Sequence, residues 1–293
     1  MRVKKGIFFP LRRLLVRNGS PNGHITKRLR QMADNPRRKS MPVFLMGNTR
    51  SGTSMVVFHL ERSTAVDLYN ENHPRAFRDF HLQKIEKIAQ LVERSYARVV
   101  LFKPVLDTHL SRVLLERFPG AKIIFMFRHY DDVINSARIR FFEKPVQAGK
   151  ARYEDLIPPV DRWLADDFAE FALAPPSPAL KAELRALHRP DLNLESKIAL
   201  HWILFNRLYF DLELHTHPRV ITIQYETIVC QPAPIMRSIC DFIGIRFEEK
   251  LMKDVHGNSI RKQEPPTLDP AIRAACNSIW MQLLAANPAA TGV

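Results

Sequence analysis

Short, unbroken apolar runs recur along the chain, separated by stretches in which apolar residues return every three or four positions. Residues 42–46 (Pro-Val-Phe-Leu-Met) form the first such run, followed by a turn with two glycines and an amphipathic stretch over 51–62. A weaker strand is expected near 65–69 and a helix near 82–94. Residues 98–102 then read as strand, 108–117 as helix, 122–127 as strand and 131–142 as helix. Strands without polar alternation are buried on both faces, as in a parallel sheet with helices above and below. Between 141 and 190 the pattern breaks down, and that stretch holds seven of the 21 prolines. A long helix over 194–214, a strand over 219–224, a helix after Pro232 and a C-terminal helix from Asp269 complete the chain. The expected fold is therefore α/β, a doubly wound parallel sheet with helices on both faces over residues 41–293. An irregular, partly helical insertion is expected at 141–194, bordering any site at the sheet's edge.

Charge changes the picture for the first 40 residues. The chain of 293 residues is 46% hydrophobic and 25% charged, ordinary for a globular protein, yet its net charge is +14. Residues 1–40 hold 12 of the 44 Lys and Arg and one acid, Asp34, which leaves 32 bases against 29 acids for the rest. The basicity thus belongs to an N-terminal arm rather than to the fold, which weakens a nucleic-acid reading of the whole chain. Within the arm, Ile7, Phe8, Phe9, Leu11, Leu14, Leu15 and Val16 are broken up by Arg12, Arg13 and Arg17. No run approaches the roughly 18 apolar residues of a membrane span. Further on, Ile25, Leu29 and Met32 fall at helical spacing, with Lys27, Arg28 and Arg30 on the other side. Two readings stand here: a surface helix for anionic membrane lipid, or a helix packed on the domain with a solvated tail. Organelle targeting and RNA binding are lesser ones. Three cysteines, Cys230, Cys240 and Cys276, are an odd number without a C-x-x-C pair, which argues against a disulfide framework and makes a reducing cytoplasm the default.

Candidate chemistry begins where the first strand ends, at Gly47-Asn-Thr-Arg-Ser-Gly-Thr-Ser54. A glycine-containing loop between a strand and a helix turns backbone N–H groups inward and aims the helix N-terminus at an anion. The nucleotide-triphosphatase version has lysine after the second glycine; here that position is Thr53, and the positive charge has moved to Arg50. Phe127 is followed by Arg128 rather than by an acid for magnesium, so the loop suits a short anionic group bound without metal. Arg128 ends a strand on the rim where doubly wound folds bind ligands. Ser136, eight residues on, returns to nearly the same azimuth of the following helix. A guanidinium fork and a hydroxyl make a phosphate clamp; an ion pair of Arg128 with Asp131 or Asp132 is the plainer alternative.

Together the loop, Arg128 and Ser136 resemble the two cofactor motifs of the sulfotransferases that use 3′-phosphoadenosine 5′-phosphosulfate. The resemblance extends to residues 224–232 (Gln-Tyr-Glu-Thr-Ile-Val-Cys-Gln-Pro) and 241–245, which are similar to the family's tyrosine–glutamate segment and following helix. It closes at 256–261 (His-Gly-Asn-Ser-Ile-Arg), similar to a segment of bacterial members, and so covers about residues 42–262. It implies a phosphate-loop, NTPase-like fold and transfer of a sulfuryl group to a hydroxyl or amine of a small-molecule, lipid or glycan acceptor, with no metal. By the same resemblance the loop amides with Arg50, Ser51, Gly52, Thr53 and Ser54 hold the 5′-phosphosulfate. Arg128, Ser136 and Arg261 hold the 3′-phosphate, Tyr225 lies beside the adenosine, and Lys103 lies near the transferring group. The chain departs from the family's cytosolic branch in two places: Met55 replaces an adenine-stacking aromatic, and Val105 replaces the catalytic histidine. Ser259 stands where bacterial members have proline.

With that histidine missing, the resemblance to glycan-modifying and bacterial members points to Glu71 as the base, at the end of the second strand. His73, Asp107 and His109 are the alternatives. Two other classes remain as rivals. A nucleotide kinase or hydrolase would show a metal requirement, and a basic nucleic-acid-binding protein would keep salt-sensitive RNA binding without residues 1–40.

Overall fold

The computed structural model describes residues 21–36, 39–143, 160–252 and 263–287. Its strands are β1 (Met41–Gly47), β2 (Val66–Tyr69), the hairpin pair β3 (Phe77–Arg78) and β4 (His81–Leu82), β5 (Val99–Phe102), β6 (Lys122–Phe127) and β7 (Val220–Gln224). The central sheet runs β2-β5-β1-β6-β7, and every pairing in it is parallel. From β1 the chain passes to the edge strand β2, returns to fill the gap between them with β5, and then crosses to β6 and β7 on the other side. The switch in direction therefore lies between β1 and β6, where such sheets open a crevice at their carboxyl edge.

Alternate residues of each strand feed two separate cores. Phe44, Met46, Val100, Phe102, Ile123, Phe125 and Phe127 point to one face, against Trp202, Leu204 and Leu208 of the helix Leu194–Asp211. Val43, Leu45, Val99, Leu101, Ile124 and Met126 point to the other, against Val56 and Leu60 of the helix Thr53–Leu60 and Ile239 of the helix Pro232–Ile243. Both faces are covered, which is why these strands read as continuous apolar runs. The long helix starts where Asn193 accepts a 2.9 Å hydrogen bond from the Ser196 amide. The C-terminal helix Pro270–Ala286 starts on an Asp269 cap with proline in its first turn.

Three elements differ from the sequence expectation. The helix expected from residue 82 begins at Ile85, because Phe77 and Arg78 pair with His81 and Leu82 in an antiparallel hairpin. The segment expected as one helix over 108–117 is a 3-10 turn, Val105–Leu110, followed by an α-helix, Ser111–Arg117, with non-helical backbone at Asp107. A short helix, Tyr225–Cys230, follows β7 directly. In the insertion, residues 144–159 lie outside the described residues; beyond them come the helices Val160–Ala165 and Pro178–Leu187.

The N-terminal helix Pro21–Asp34 rests on the domain by a polar seam. Gln31 donates to the Thr64 carbonyl (3.0 Å) and to Asp67 (2.9 Å), and Asn35 donates to the Ala97 carbonyl (3.2 Å). These acceptors lie at the amino ends of β2 and β5. Ile25, Leu29 and Met32 face outward.

Candidate active site

Because every strand of the sheet runs the same way, the residues following β1, β2, β5, β6 and β7 come to one edge. The loop after β1 needs its glycines for stated reasons. At Gly47 φ is +120°, and a β-carbon would lie 2.0 Å from the Met126 carbonyl oxygen. At Gly52 φ is +86°, and a β-carbon would lie 2.2 Å from Cδ2 of Tyr225. Only glycine allows the two backbones and the ring to approach this closely. Between them Arg50 itself has φ of +67°, a strained position for a non-glycine residue.

That backbone turn sends Arg50 across the crevice to the helix Tyr130–Arg138, where its Nε donates to Ser136 Oγ at 3.0 Å. Arg50 makes no ion pair with a carboxylate among the described residues. Burial first, then the nearby charges of Arg140 and Arg128, push it down to about 10, so it still carries its proton at neutral pH. Buried Ser51 Oγ and Asn48 Oδ1 have no hydrogen-bond partner among the described residues. Thr53 is buried and Ser54 exposed at the start of the helix, where their amides have no partner within the helix; the Met55 amide donates to the Gly52 carbonyl at 2.9 Å.

Arg128 is held on several sides. Its Nη2 lies 3.3 Å from Asp132, its Nη1 donates to the Arg50 carbonyl at 3.4 Å, and its guanidinium lies 4.3 Å from the centre of the Tyr225 ring. The ion pair with Asp132 weighed in the sequence is thus present. Tyr225, in turn, is wedged between Gly52 and Arg128. Its neighbour Glu226 accepts from the His129 amide at 3.0 Å, tying the ends of β6 and β7 together behind Arg128. Burial raises the pKa of Glu226 above the ordinary carboxylate range. This glutamate belongs to the tyrosine–glutamate segment at 224–232, where the sequence alone does not disclose its contact with the His129 amide.

On the other flank Lys103, almost fully buried, lies 2.7 Å from the Glu71 carboxylate and donates to Ser54 Oγ at 2.9 Å. The structure therefore joins Glu71, Lys103 and Ser54 in one chain across the ends of β2 and β5 and the phosphate loop. Glu71 also borders a cleft of about 540 Å³ walled by Phe77, Arg78, Phe80, Gln83 and Lys87 around the β3–β4 turn.

The remaining base candidates are placed differently. His73 stands edge-on to Tyr69 and accepts from the Arg75 amide. Asp107 is buried and spends both oxygens on the hairpin, at 2.7 Å from His81 Nδ1 and from the Leu82 amide. His109 is buried against Phe171, and burial pushes it down to about 4, so it is neutral at working pH. Val105 is buried, and half-buried Met55 packs on the second core. Arg261 lies outside the described residues. His81, which the sequence did not single out, bridges Asp107 and Glu170 and so joins the hairpin to the insertion.

No family model and no curated protein sequence matches the chain. Among solved structures it is similar to a sulfotransferase from Alicyclobacillus acidocaldarius, with 15% identity over 84% of this chain and 94% of that one, at a TM-score of 0.46. It is also similar to the sulfotransferase domain of the Synechococcus PCC 7002 olefin synthase, with 17% identity, 87% and 96% coverage and a TM-score of 0.45. Mouse sulfotransferase SULT7A1 complexed with PAP is a third, at 13% identity, 85% and 86% coverage and a TM-score of 0.47.

Proposed function

We propose that the protein is a sulfotransferase that moves a sulfuryl group from 3′-phosphoadenosine 5′-phosphosulfate to a hydroxyl or amine acceptor. The observation that carries this reading is Arg50: a half-buried guanidinium without a carboxylate, directed by a strained loop into a crevice that already holds Arg128 and Arg140. Such an arrangement is unfavourable in the absence of an anion and favourable with one. The unpartnered Ser51 hydroxyl and the amides of the glycine loop give that anion hydrogen-bond donors. The resemblance of the loop, Arg128 and Ser136 to the donor motifs of this family then selects the phosphosulfate over other anions.

In this reading the donor supplies an activated sulfur whose bond to the 5′-phosphate breaks as the acceptor oxygen attacks in line. The loop amides, Arg50, Ser51, Gly52, Thr53 and Ser54 hold the 5′ end. Arg128 and Ser136, with Arg261, hold the 3′-phosphate, and Tyr225 lies beside the adenosine. Lys103, oriented by Ser54, offsets charge gathering on the departing phosphate. Glu71 receives the acceptor's proton, from a position bordering the open cleft where an acceptor can enter. The acceptor is a small molecule, lipid or glycan, and the reaction requires no metal.

Arg128 provides the test. The 3′-phosphate distinguishes this donor from adenosine 5′-phosphosulfate, so Arg128→Ala should weaken binding of 3′-phosphoadenosine 5′-phosphate far more than that of the nucleotide lacking the 3′ group. One charge-assisted bond corresponds to about 10- to 150-fold in affinity. Calorimetry in which the wild type prefers ATP–magnesium to the bisphosphate would overturn the reading in favour of a phosphoryl-transfer enzyme. Incubation with labelled donor and fractionated host extract identifies the acceptor.

A further inference from the structure

We propose that the outward face of the helix Pro21–Asp34 docks on a membrane surface containing anionic lipid. A helix that folds only to pack on its domain buries its apolar stripe and exposes its polar one. This helix does the reverse. Gln31 and Asn35 are buried and bonded to the domain, and Lys27 lies within the field of Asp67 and Glu61. Ile25, Leu29 and Met32 are left 58%, 58% and 40% exposed. Their spacing of four and three residues stacks them in a single stripe along the helix. Arg28, three residues from Ile25 and four from Met32, adjoins the stripe, with its guanidinium 5.4 Å from the Tyr96 ring centre, and exposed Arg30 lies further round the helix.

Charge selects the partner. Residues 1–40 carry 12 bases and one acid, whereas the remainder of the chain is close to neutral. An anionic bilayer surface satisfies both features at once, since its acyl boundary takes aliphatic and thioether side chains while its headgroups attract the basic flanks. A second copy of this chain matches the stripe but sets two strongly basic segments against each other. A nucleic acid matches the charge and leaves the stripe in water. Among the described residues no helix is long and apolar enough to cross a membrane, and the contact proposed is one of lying on the surface.

The test is sedimentation of the full-length protein with vesicles of phosphatidylcholine alone or of equal parts phosphatidylcholine and phosphatidylserine. The wild type should bind the mixed vesicles, and the variant Ile25→Ser/Leu29→Ser/Met32→Ser should bind them at least about tenfold more weakly. Arg28→Glu, beside the stripe, reads the electrostatic half separately and should also weaken binding. Bisphosphate binding should be unchanged in both variants, which shows that they are folded and keeps this proposal separate from the donor assignment. Failure of the wild type to bind mixed vesicles overturns the proposal, as does equal binding to pure phosphatidylcholine or full retention by the triple variant. A lipid-free dimer that the triple variant abolishes also overturns it, by assigning the face to self-association.

Discussion

Glu71 borders the cleft and is paired with Lys103, so an amide at this position removes a proton acceptor and also one member of an ion pair. Glu71→Gln should leave affinity for the bisphosphate almost unchanged, because the loop, Arg128 and Ser136 belong to other elements of the crevice. Turnover of the identified acceptor should fall by roughly 10²- to 10⁴-fold, the usual contribution of a positioned base. Lys103→Ala should also slow turnover, but by lost charge stabilisation, and its deficit should persist at high pH where a base is dispensable. If Glu71→Gln keeps nearly full turnover while Asp107→Asn does not, the proton goes elsewhere. Asp107 is the less favoured acceptor on geometry, since both its oxygens are committed to His81 and the Leu82 amide. At this scale the sequence shows which residue types stand after each strand but not their partners. Glu71 and Lys103 are 32 positions apart, and nothing local announces their contact. The pairing of Arg50 with Ser136 likewise depends on the αL backbone at Arg50, which no residue preference predicts for arginine.

The β3–β4 hairpin is the element that the sequence concealed. Its strands are two residues each, and its turn places Asp79 and Phe80 at φ of +50° and +67° with no glycine or asparagine to signal it. What holds it is His81, through Asp107 and Glu170. Burial works against the protonated ring, but hydrogen bonds and charge from those two carboxylates outweigh it and push His81 up to about 10. A folded-state pKa above the unfolded value near 6.5 means that the contribution is fully present below that value and lost as pH rises through about 10. The free energy of unfolding of wild type should therefore exceed that of His81→Gln by on the order of 1–2 kcal/mol at pH 6, after solvent screening, and the gap should close by about pH 10. Urea titrations across that range check it, and a gap that widens with pH would refute the clamp. The parallel strands, by contrast, were legible because two-sided burial leaves an apolar run that no other element of that length produces. The docking sense of the helix Pro21–Asp34 was not, since periodicity locates an apolar stripe without saying whether the domain or the outside takes it.

For the whole molecule, one sheet separates two cores without dividing the chain into two units. Leu60 is fully buried on one side and Leu204 on the other. Leu60→Ala and Leu204→Ala should each cost about 2–5 kcal/mol and should each lower the same unfolding transition, because the strands between them contribute side chains to both cores. Scanning calorimetry that resolves two transitions in either variant would contradict this. The strand order carries a further consequence for synthesis. Gly52 of the loop and the Tyr225 ring meet, yet they lie 173 residues apart in the chain, and β7 pairs with β6 at the sheet's far margin. At about 5–20 residues per second the ribosome releases Tyr225 roughly 9–35 s after Gly52. For that interval the growing chain carries its most basic segment and its glycine loop but no closed crevice, so nascent chains stalled before β7 should not be retained on a resin carrying the bisphosphate proposed to bind there.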